Sequence, residues 1–422
     1  MINTIRNLLI LFAFLAHSKA SGQDRNRASS VIEELCSDEM AGRGYINNGA
    51  QKAANYISTQ YTSLGLKSFG DSYEQSFYLD VNTINTSKVA LDDSVLIPGV
   101  DYLVSTTSGD VSGKFKLFYV SSKMLKSPKI HKKLRKAYKK GYIPVIPTVS
   151  EGNPYLAKVI DEIIVIYADK PLILLKTSLT WSVGRSQEKG TQLWLLESSF
   201  DPYAKCITIE VEAELMRDYK TQNVIGYVEG TMFPDSVVII CGHYDHLGKM
   251  GEAIFYGAND NASGIALMLD MASFFVENPQ KYTIAFIAFG AEEAGLVGSQ
   301  YYVQYPLFPL QKTKFVFNMD LMGSGDGGAT IVNATVFPAE FAVLKKINDE
   351  KEYLPKIKAR GKAANSDHYF FSEAGVPAFF IYLMGEYTHY HIPADNADNL
   401  KLGPYYEKSF SLVRDFIVYL SY

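Results

Sequence analysis

VVIICGHYDHLGKMGEAIFYGANDNASG, residues Val237 to Gly264, decides the fold. Val237 to Ile240 is apolar without polar alternation and rich in β-branched residues, the pattern of a strand buried on both faces. The run breaks at Gly242 and delivers His243, Asp245 and His246 into a loop. A second glycine-marked turn, Gly257 to Asn259, sets Asp260 at the mouth of a helix. Imidazoles and carboxylates at the exit of a buried strand are costly unless something binds them. The stretch therefore reads as half of a two-metal hydrolytic site.

Working outward, apolar strands alternate with amphipathic helices from Cys206 onward. Strands are predicted at Ile207–Val211, Asn223–Val228, Val237–Ile240, Thr283–Phe289, Phe315–Phe317, Thr330–Val332 and Ala378–Tyr382. Helices are predicted at Ala262–Phe275, Leu296–Val303, Ala339–Lys351, His368–Glu373 and Tyr405–Leu420. This order indicates an α/β fold, a mostly parallel mixed sheet with helices on both faces. Upstream, Ala28–Leu35 and Ala50–Leu64 carry helical spacing, with Gly65 as a C-cap. From Asp92 to Phe200 the texture changes to short strand-like runs, Lys114–Val120, Ile143–Ile146, Ile163–Tyr167 and Leu172–Leu175. The expected organisation is a signal peptide at 1–20, the first part of the main domain at 21–91, a small β-rich insert at 92–200, and a catalytic domain at 201–422.

The signal peptide rests on a basic start, Asn3 to Arg6, an apolar core, Leu8 to Ala16, and the small-x-small site Ser18-Lys19-Ala20. These features predict export, to the periplasm or the outside, with cleavage after Ala20. The apolar run is shorter than the ~20 residues of a membrane span, which disfavours an anchor. No later segment is long and apolar enough to cross a membrane. The chain has 422 residues, 47% hydrophobic and 20% charged, with a formal net charge of -4. That balance gives no reason to expect a nucleic-acid partner. The basic run Lys123 to Lys140 reads as a solvated helix face, since no aromatic stacking set accompanies it. Cys36, Cys206 and Cys241 contain no CxxC pair, so a thiolate zinc site is excluded, and Cys241 reads as a core residue.

Ligands of open α/β sheets sit beyond the carboxyl ends of the strands. The exits here offer His243, then Glu292-Glu293, then Asp320, then His391 after a loop, with Asp260 joining from a helix start. Such ligands suit Zn²⁺. Five of them can hold two ions through a shared carboxylate: His243, Asp260 and Asp320 on one, His391, Asp260 and Glu293 on the other. Without cations the clustered carboxylates would repel strongly. Glu292 is left to move a proton as general base. Asp245, two residues beyond His243, is placed to accept that ring's second N–H, and Asp395 is a candidate for the same service to His391. His246 reads as a hydrogen-bonding neighbour of the site and His368 as a helix start or pocket wall. Ser366 and Asp367 are of helix-capping type. His389 competes with His391 for the last ligand position, and the frame Tyr-His-x-Pro-x-Asp favours His391.

GHYDH, GANDNASG, FGAEEAGLVGS, FNMDLMG, SDHYFF and YHIPADNADNL, in this order, resemble the zinc exopeptidase family of secreted aminopeptidases and glutamate carboxypeptidase. The resemblance covers nearly all of Asn223 to Leu400. It implies two Zn²⁺ ions, with His243 and Asp320 on one, Glu293 and His391 on the other, Asp260 bridging and Glu292 as general base. It implies that Tyr390, preceding the last histidine, steadies the carbonyl oxygen in the transition state. It implies a peptide or protein substrate with a free N-terminus. LCSDEMAGRG resembles the start of members that carry an inserted protease-associated domain, although the insert departs from that domain's usual sequence. A glutaminyl cyclase on the same fold handles one catalytic zinc, and receptor-like relatives lose ligands. The intact five ligands and base favour the peptidase. Arg360 and Lys362 are the cations a carboxypeptidase would need.

Overall fold

The glycine-ended run at the centre of the sequence becomes the strand Phe233–His243, hydrogen-bonded on both sides by parallel partners. A computed structural model describes residues 24–148 and 153–421. The expected signal peptide, 1–20, lies outside the described residues. Beside the central strand run Tyr282–Phe289 and Thr313–Met319, and Ala378–Met384 continues the parallel set. Gly328–Val332 and Cys206–Val228 flank this set as antiparallel neighbours. The strands read nearly continuously apolar because both faces are covered. One face packs against helices Arg25–Leu35, Gly49–Leu64, Ser263–Glu277 and Pro404–Leu420, and the other against Val297–Gln304 and His368–Glu373. Parallel strands must all point the same way, so their carboxyl ends collect on one edge. That edge carries His243, Glu292-Glu293, Asp320 and the approach to His391.

Two strands expected separately, Ile207–Val211 and Asn223–Val228, are the ends of one strand, Cys206–Val228. Its partner is Glu74–Leu91, whose mixture of Asn, Thr, Ser and apolar residues gives no clean period. The two run antiparallel over their length, with irregularities between Leu79 and Val81 and between Ile84 and Thr86. Beyond this ribbon the sheet continues through Val111–Tyr119, Tyr142–Ile146, Leu172–Lys176 and Gln192–Leu196, strands of the stretch expected as an insert.

Those last four strands pair in parallel. Parallel neighbours need crossover connections, for which helices are the usual solution. The insert is accordingly richer in helix than its texture suggested. Ile163–Tyr167, expected as a strand, belongs instead to the helix Pro154–Ile166 and its C-cap. Asn153 caps that helix by accepting from the Leu156 N–H at 3.2 Å, and Pro154 sits at its first turn. The β-branched run at its end misled the reading, while Leu156 and Ile163 supply the buried stripe. The basic run folds as the helix Ile130–Tyr138, which buries Ile130, Leu134 and Ala137 and turns Lys132, Lys133 and Lys136 to solvent. The three cysteines are unpaired, and Cys241 lies fully buried in the core. Among the described residues no helix is long and apolar enough to cross a membrane.

One polar knot fastens the helices of the first face. Asp270, buried within Ser263–Glu277, accepts from Arg27 Nε at 2.9 Å and from Tyr406 Oη at 3.3 Å. Arg27 Nη1 also donates to Ser273 Oγ at 3.1 Å, so three helices share the junction. Burial outweighs the Arg27 guanidinium here and lifts Asp270 to about 6. Truncation of a buried charged acceptor strands its donors. Because Arg27 is one-third exposed and retains water, Asp270→Ala should cost about 2–3 kcal/mol. A urea titration will measure this as a lowered midpoint at unchanged slope.

Candidate metal centre

His243 closes the central strand and is 1% exposed. Its Nδ1 lies 3.1 Å from the backbone carbonyl of Asp245, which can only accept. Nδ1 therefore carries a proton, and Nε2 faces inward. It meets Asp260 Oδ1 at 3.2 Å and Asp320 Oδ1 at 3.4 Å. His391 repeats the arrangement. Its Nδ1 donates to the Trp181 carbonyl at 2.8 Å, and its Nε2 faces Asp260 Oδ2 at 3.2 Å and Glu293 Oε2 at 3.3 Å. Each imidazole thus turns Nε2 to two carboxylate oxygens, where it holds a proton or, with a cation between, offers a lone pair, and the two groups share Asp260, one oxygen to each side.

This arrangement repels itself unless positive charge lies between the groups. Burial disfavours a charged ring, yet Glu292 and Asp320, with contacts to Asp260, hold His243 well above the usual imidazole range. Burial is likewise overcome at His391, which Glu293 and Asp260 push up to about 11. Asp320 Oδ1 is buried and accepts no hydrogen bond. Imidazole nitrogen and carboxylate oxygen at these separations fit divalent cations of the Zn²⁺ type, three protein ligands to each.

Glu292 and Glu293 leave the strand Tyr282–Phe289 through Gly290 and Ala291. Glu292 offers an oxygen within 4.8 Å of ligand atoms of His243 and Glu293. Burial, opposed by His243 and reinforced by Glu293, holds the Glu292 carboxyl well above its ordinary range. Tyr390 lays its ring on that of His391, centroids 3.9 Å apart at 15°, and lines the same cavity while remaining half-exposed. Desolvation and then Asp260, Glu293 and Asp320 push its phenol up, so it remains a donor. The cavity holds about 230 Å³ and is walled by these groups with Leu321, Arg360, Asn365, Phe380 and Tyr382.

Two expected partners act differently. The Asp245 carboxylate does not take the His243 ring proton, because the shorter path is to its own backbone carbonyl; Oδ1 lies 3.9 Å from Nδ1. Its two oxygens instead accept the N–H groups of Glu292, at 3.0 Å, and Glu293, at 3.2 Å. Asp395 does not reach His391, whose ring proton is taken by Trp181. It accepts from the N–H groups of Asn259 at 2.8 Å and Asp260 at 3.1 Å, and from Tyr387 Oη at 2.8 Å. Both carboxylates therefore hold the backbone that carries a site residue. His246 Nδ1 donates to Glu293 Oε1 at 2.7 Å, and His389 packs on Tyr387. His368 opens its helix, buried against Phe380. Asp367 makes no capping bond to that helix, and Ser366 donates to Asp320 Oδ2 at 3.1 Å while Asn318 donates to Ser366 at 2.6 Å.

Arg43 and Trp181 escaped the sequence reading. Arg43 is fully buried, and its guanidinium donates to the carbonyls of Tyr244 at 2.7 Å, Leu35 at 2.9 Å, Tyr256 at 2.5 Å and Gly257 at 2.7 Å. It clamps the His243 loop to the Asp260 loop. Its sequence signal was the glycine pair around it: a side chain at Gly42 or Gly44 would strike the backbone at Gly248 at 2.5 Å or 2.4 Å. Gly257, at φ +62° with its Cα facing the His246 ring, allows the Asp260 loop to close on the same junction. Trp181 comes from the insert and grips His391 twice, its N–H also donating to the His391 carbonyl at 3.1 Å. Its ring stacks on Phe255 at 4.7 Å, and its Nε1 donates to the Val104 carbonyl at 2.8 Å. No motif in the sequence announces a backbone carbonyl as a partner.

Residues 223–411 match the model of peptidase family M28. Aminopeptidase YwaD of Bacillus subtilis is 33% identical over 196 residues, 43% of this chain and 40% of that protein. A Caenorhabditis elegans glutamate carboxypeptidase 2 homolog is 31% identical over 205 residues, 40% of this chain and 25% of that protein. The chain thus spans less than half the length of these curated relatives. The fold is that of a zinc aminopeptidase from Bacillus subtilis, at a TM-score of 0.69 and 20% identity over 93% of this chain and 94% of the other. A peptidase M28 precursor from Shewanella amazonensis superposes at 0.71 with 16% identity, covering 95% and 94%. Residues 223–411, which hold every strand exit of the candidate metal centre, thus resemble peptidase family M28, and the fold is shared along nearly the whole chain.

Proposed function

We propose that the protein is an exported two-zinc aminopeptidase that removes N-terminal residues from peptides or proteins. The observation that carries the reading is the pair of imidazole Nε2 atoms, each facing two carboxylate oxygens and sharing Asp260. His243, Asp260 and Asp320 would hold one ion, and His391, Asp260 and Glu293 the other. The B. subtilis relative named an aminopeptidase supports the activity, and the zinc aminopeptidase of the same fold supports the metal. The basic and apolar start of the chain supports export.

Zinc, when bound, lowers the pKa of a water toward ~7 and polarises the scissile carbonyl. Glu292 takes the proton of the attacking water and returns it to the leaving amine, a task for a carboxyl held above its ordinary range. Asp245 fixes the backbone of Glu292 and Glu293 together, so the base and its neighbouring ligand keep one geometry. The Tyr390 phenol donates to the carbonyl oxygen as negative charge develops there. Arg43 and Asp395 hold the loops of His243 and Asp260 in register.

The reading is tested directly by Glu292→Gln. Loss of the base should lower kcat about 10²–10⁴-fold on a peptide with a free N-terminus, while zinc content by atomic emission stays at the wild-type value. Hydrolysis at the wild-type rate would remove Glu292 from its role, and release of C-terminal residues from N-blocked peptides would overturn the aminopeptidase assignment. A second variant separates the two ions. Trp181→Ala removes the stack on Phe255 and the indole bond that fix the carbonyl behind His391. The zinc on the His391 side should then bind about 10–100-fold more weakly, and graded chelator dialysis should leave one ion on the His243 side. Trp181→Phe, which keeps an aromatic ring on Phe255, should recover much of the second ion.

A further inference from the structure

The cavity proposed above for the reaction contains a cation that no ligand or base role uses. Arg360 lines it together with Asn365, Phe380, Tyr382 and the carboxylate cluster. Its backbone is fixed, the N–H donating to the Ile331 carbonyl at 2.9 Å and the carbonyl accepting from Thr335 at 3.5 Å. Its side chain is exposed, and among the described residues its guanidinium has no carboxylate partner. Lys362, two residues on, is different. It is paired with Glu373, lies over the Tyr369 ring and takes no part in the cavity wall.

Charge decides what Arg360 is for. The carboxylates of the cavity are Asp260, Glu292, Glu293 and Asp320, and the two divalent cations of the proposed function would balance them. The guanidinium is then a positive charge without an internal counterpart. Its planar fork matches a carboxylate through two parallel N–H···O bonds, which an ammonium does not reproduce. The cavity, about 230 Å³, has the volume of roughly seven or eight waters, room for the end of a peptide. Whatever reaches the metal centre from this side therefore brings its terminal residue close to Arg360.

We propose that Arg360 receives a carboxylate of the substrate, so that the site selects acidic peptides. The inference rests on the exopeptidase reading. The carboxylate has two sources, the side chain of an N-terminal Asp or Glu, or the free C-terminus of a dipeptide. Four peptides distinguish them, Glu-Ala-amide against Gln-Ala-amide for the side chain and Leu-Ala against Leu-Ala-amide for the terminus.

The experiment measures kcat/KM of the zinc-loaded full chain on all four. The charged member of one pair should be preferred about tenfold or more. Arg360→Gln should bring that ratio close to one, Arg360→Lys should retain part of it, and Arg360→Glu should invert it. Lys362→Gln should keep the wild-type ratio. Equal rates within both pairs, or a ratio untouched by Arg360→Gln, would overturn the assignment of Arg360 alone. Failure to cleave any of the four would overturn the exopeptidase reading with it. Arg360 is exposed, so the substitutions leave the core packing intact.

Discussion

Carboxylates gathered in a buried cavity repel, and everything around the candidate metal centre answers that repulsion. Asp260, Glu293 and Asp320 converge with Glu292 in one cavity, and the two imidazoles arrive with Nε2 inward. Such a cluster is unstable by itself and stable around dications. The protein supplies the countervailing order from outside the cluster. Arg43 ties carbonyls of both ligand loops with one rigid guanidinium, and the Asp245 carboxylate takes two consecutive backbone N–H groups. The site is held open by bonds to main chain, which cannot rotate away as side chains can.

The two rings are oriented in one way by two different parts of the chain. His243 gives its proton to a carbonyl two residues along its own loop, whereas His391 gives its proton to Trp181 from the insert. That difference gives residues 92–200 a physical connection to the candidate centre. The loop around Trp181 lies behind strand Leu172–Lys176 and rests on Phe255, which belongs to the segment between His243 and Asp260. Packing from the insert is thus transmitted to a ligand through one aromatic stack and one carbonyl. A ligand ring oriented by a main-chain acceptor keeps its tautomer whatever the side chains nearby are doing.

Much of this was legible in the sequence, for reasons that are themselves physical. Buried parallel strands must be nearly all apolar, so Val237–Ile240 and Thr283–Phe289 declared themselves, and polar residues at their ends stood out. His243, Asp260, Glu292, Glu293, Asp320, Tyr390 and His391 do line one cavity. What stayed hidden were contacts made by the backbone. The choice between the Asp245 side chain and the Asp245 carbonyl depends on a loop torsion, not on residue type. The ribbon strand Glu74–Leu91 was missed because it changes environment along its length, and Ile163–Tyr167 because a β-branched run outweighed the helix cap ten residues before it.

Backbone conformation supplies the last constraint that composition conceals. Ala291, just before Glu292, has φ 55°; Leu321, just after Asp320, has φ 59°; His391 itself has φ 57°. None is glycine, so each left-handed residue costs about 1–3 kcal/mol and must be held by its surroundings. The three lie at three different strand exits, next to or on a site residue. A chain leaving a strand in the ordinary extended direction would carry its next side chain along the sheet. A left-handed step turns the chain sharply, and here it accompanies carboxylates and an imidazole that converge on one point. The hydrogen bonds of Asp245 to the Glu292 and Glu293 N–H groups, and of Trp181 to both the ring and the carbonyl of His391, fall on two of these turns. The polar scaffold and the strained backbone are therefore one device, in which bonds to main chain offset the conformational cost of aiming ligands that repel each other.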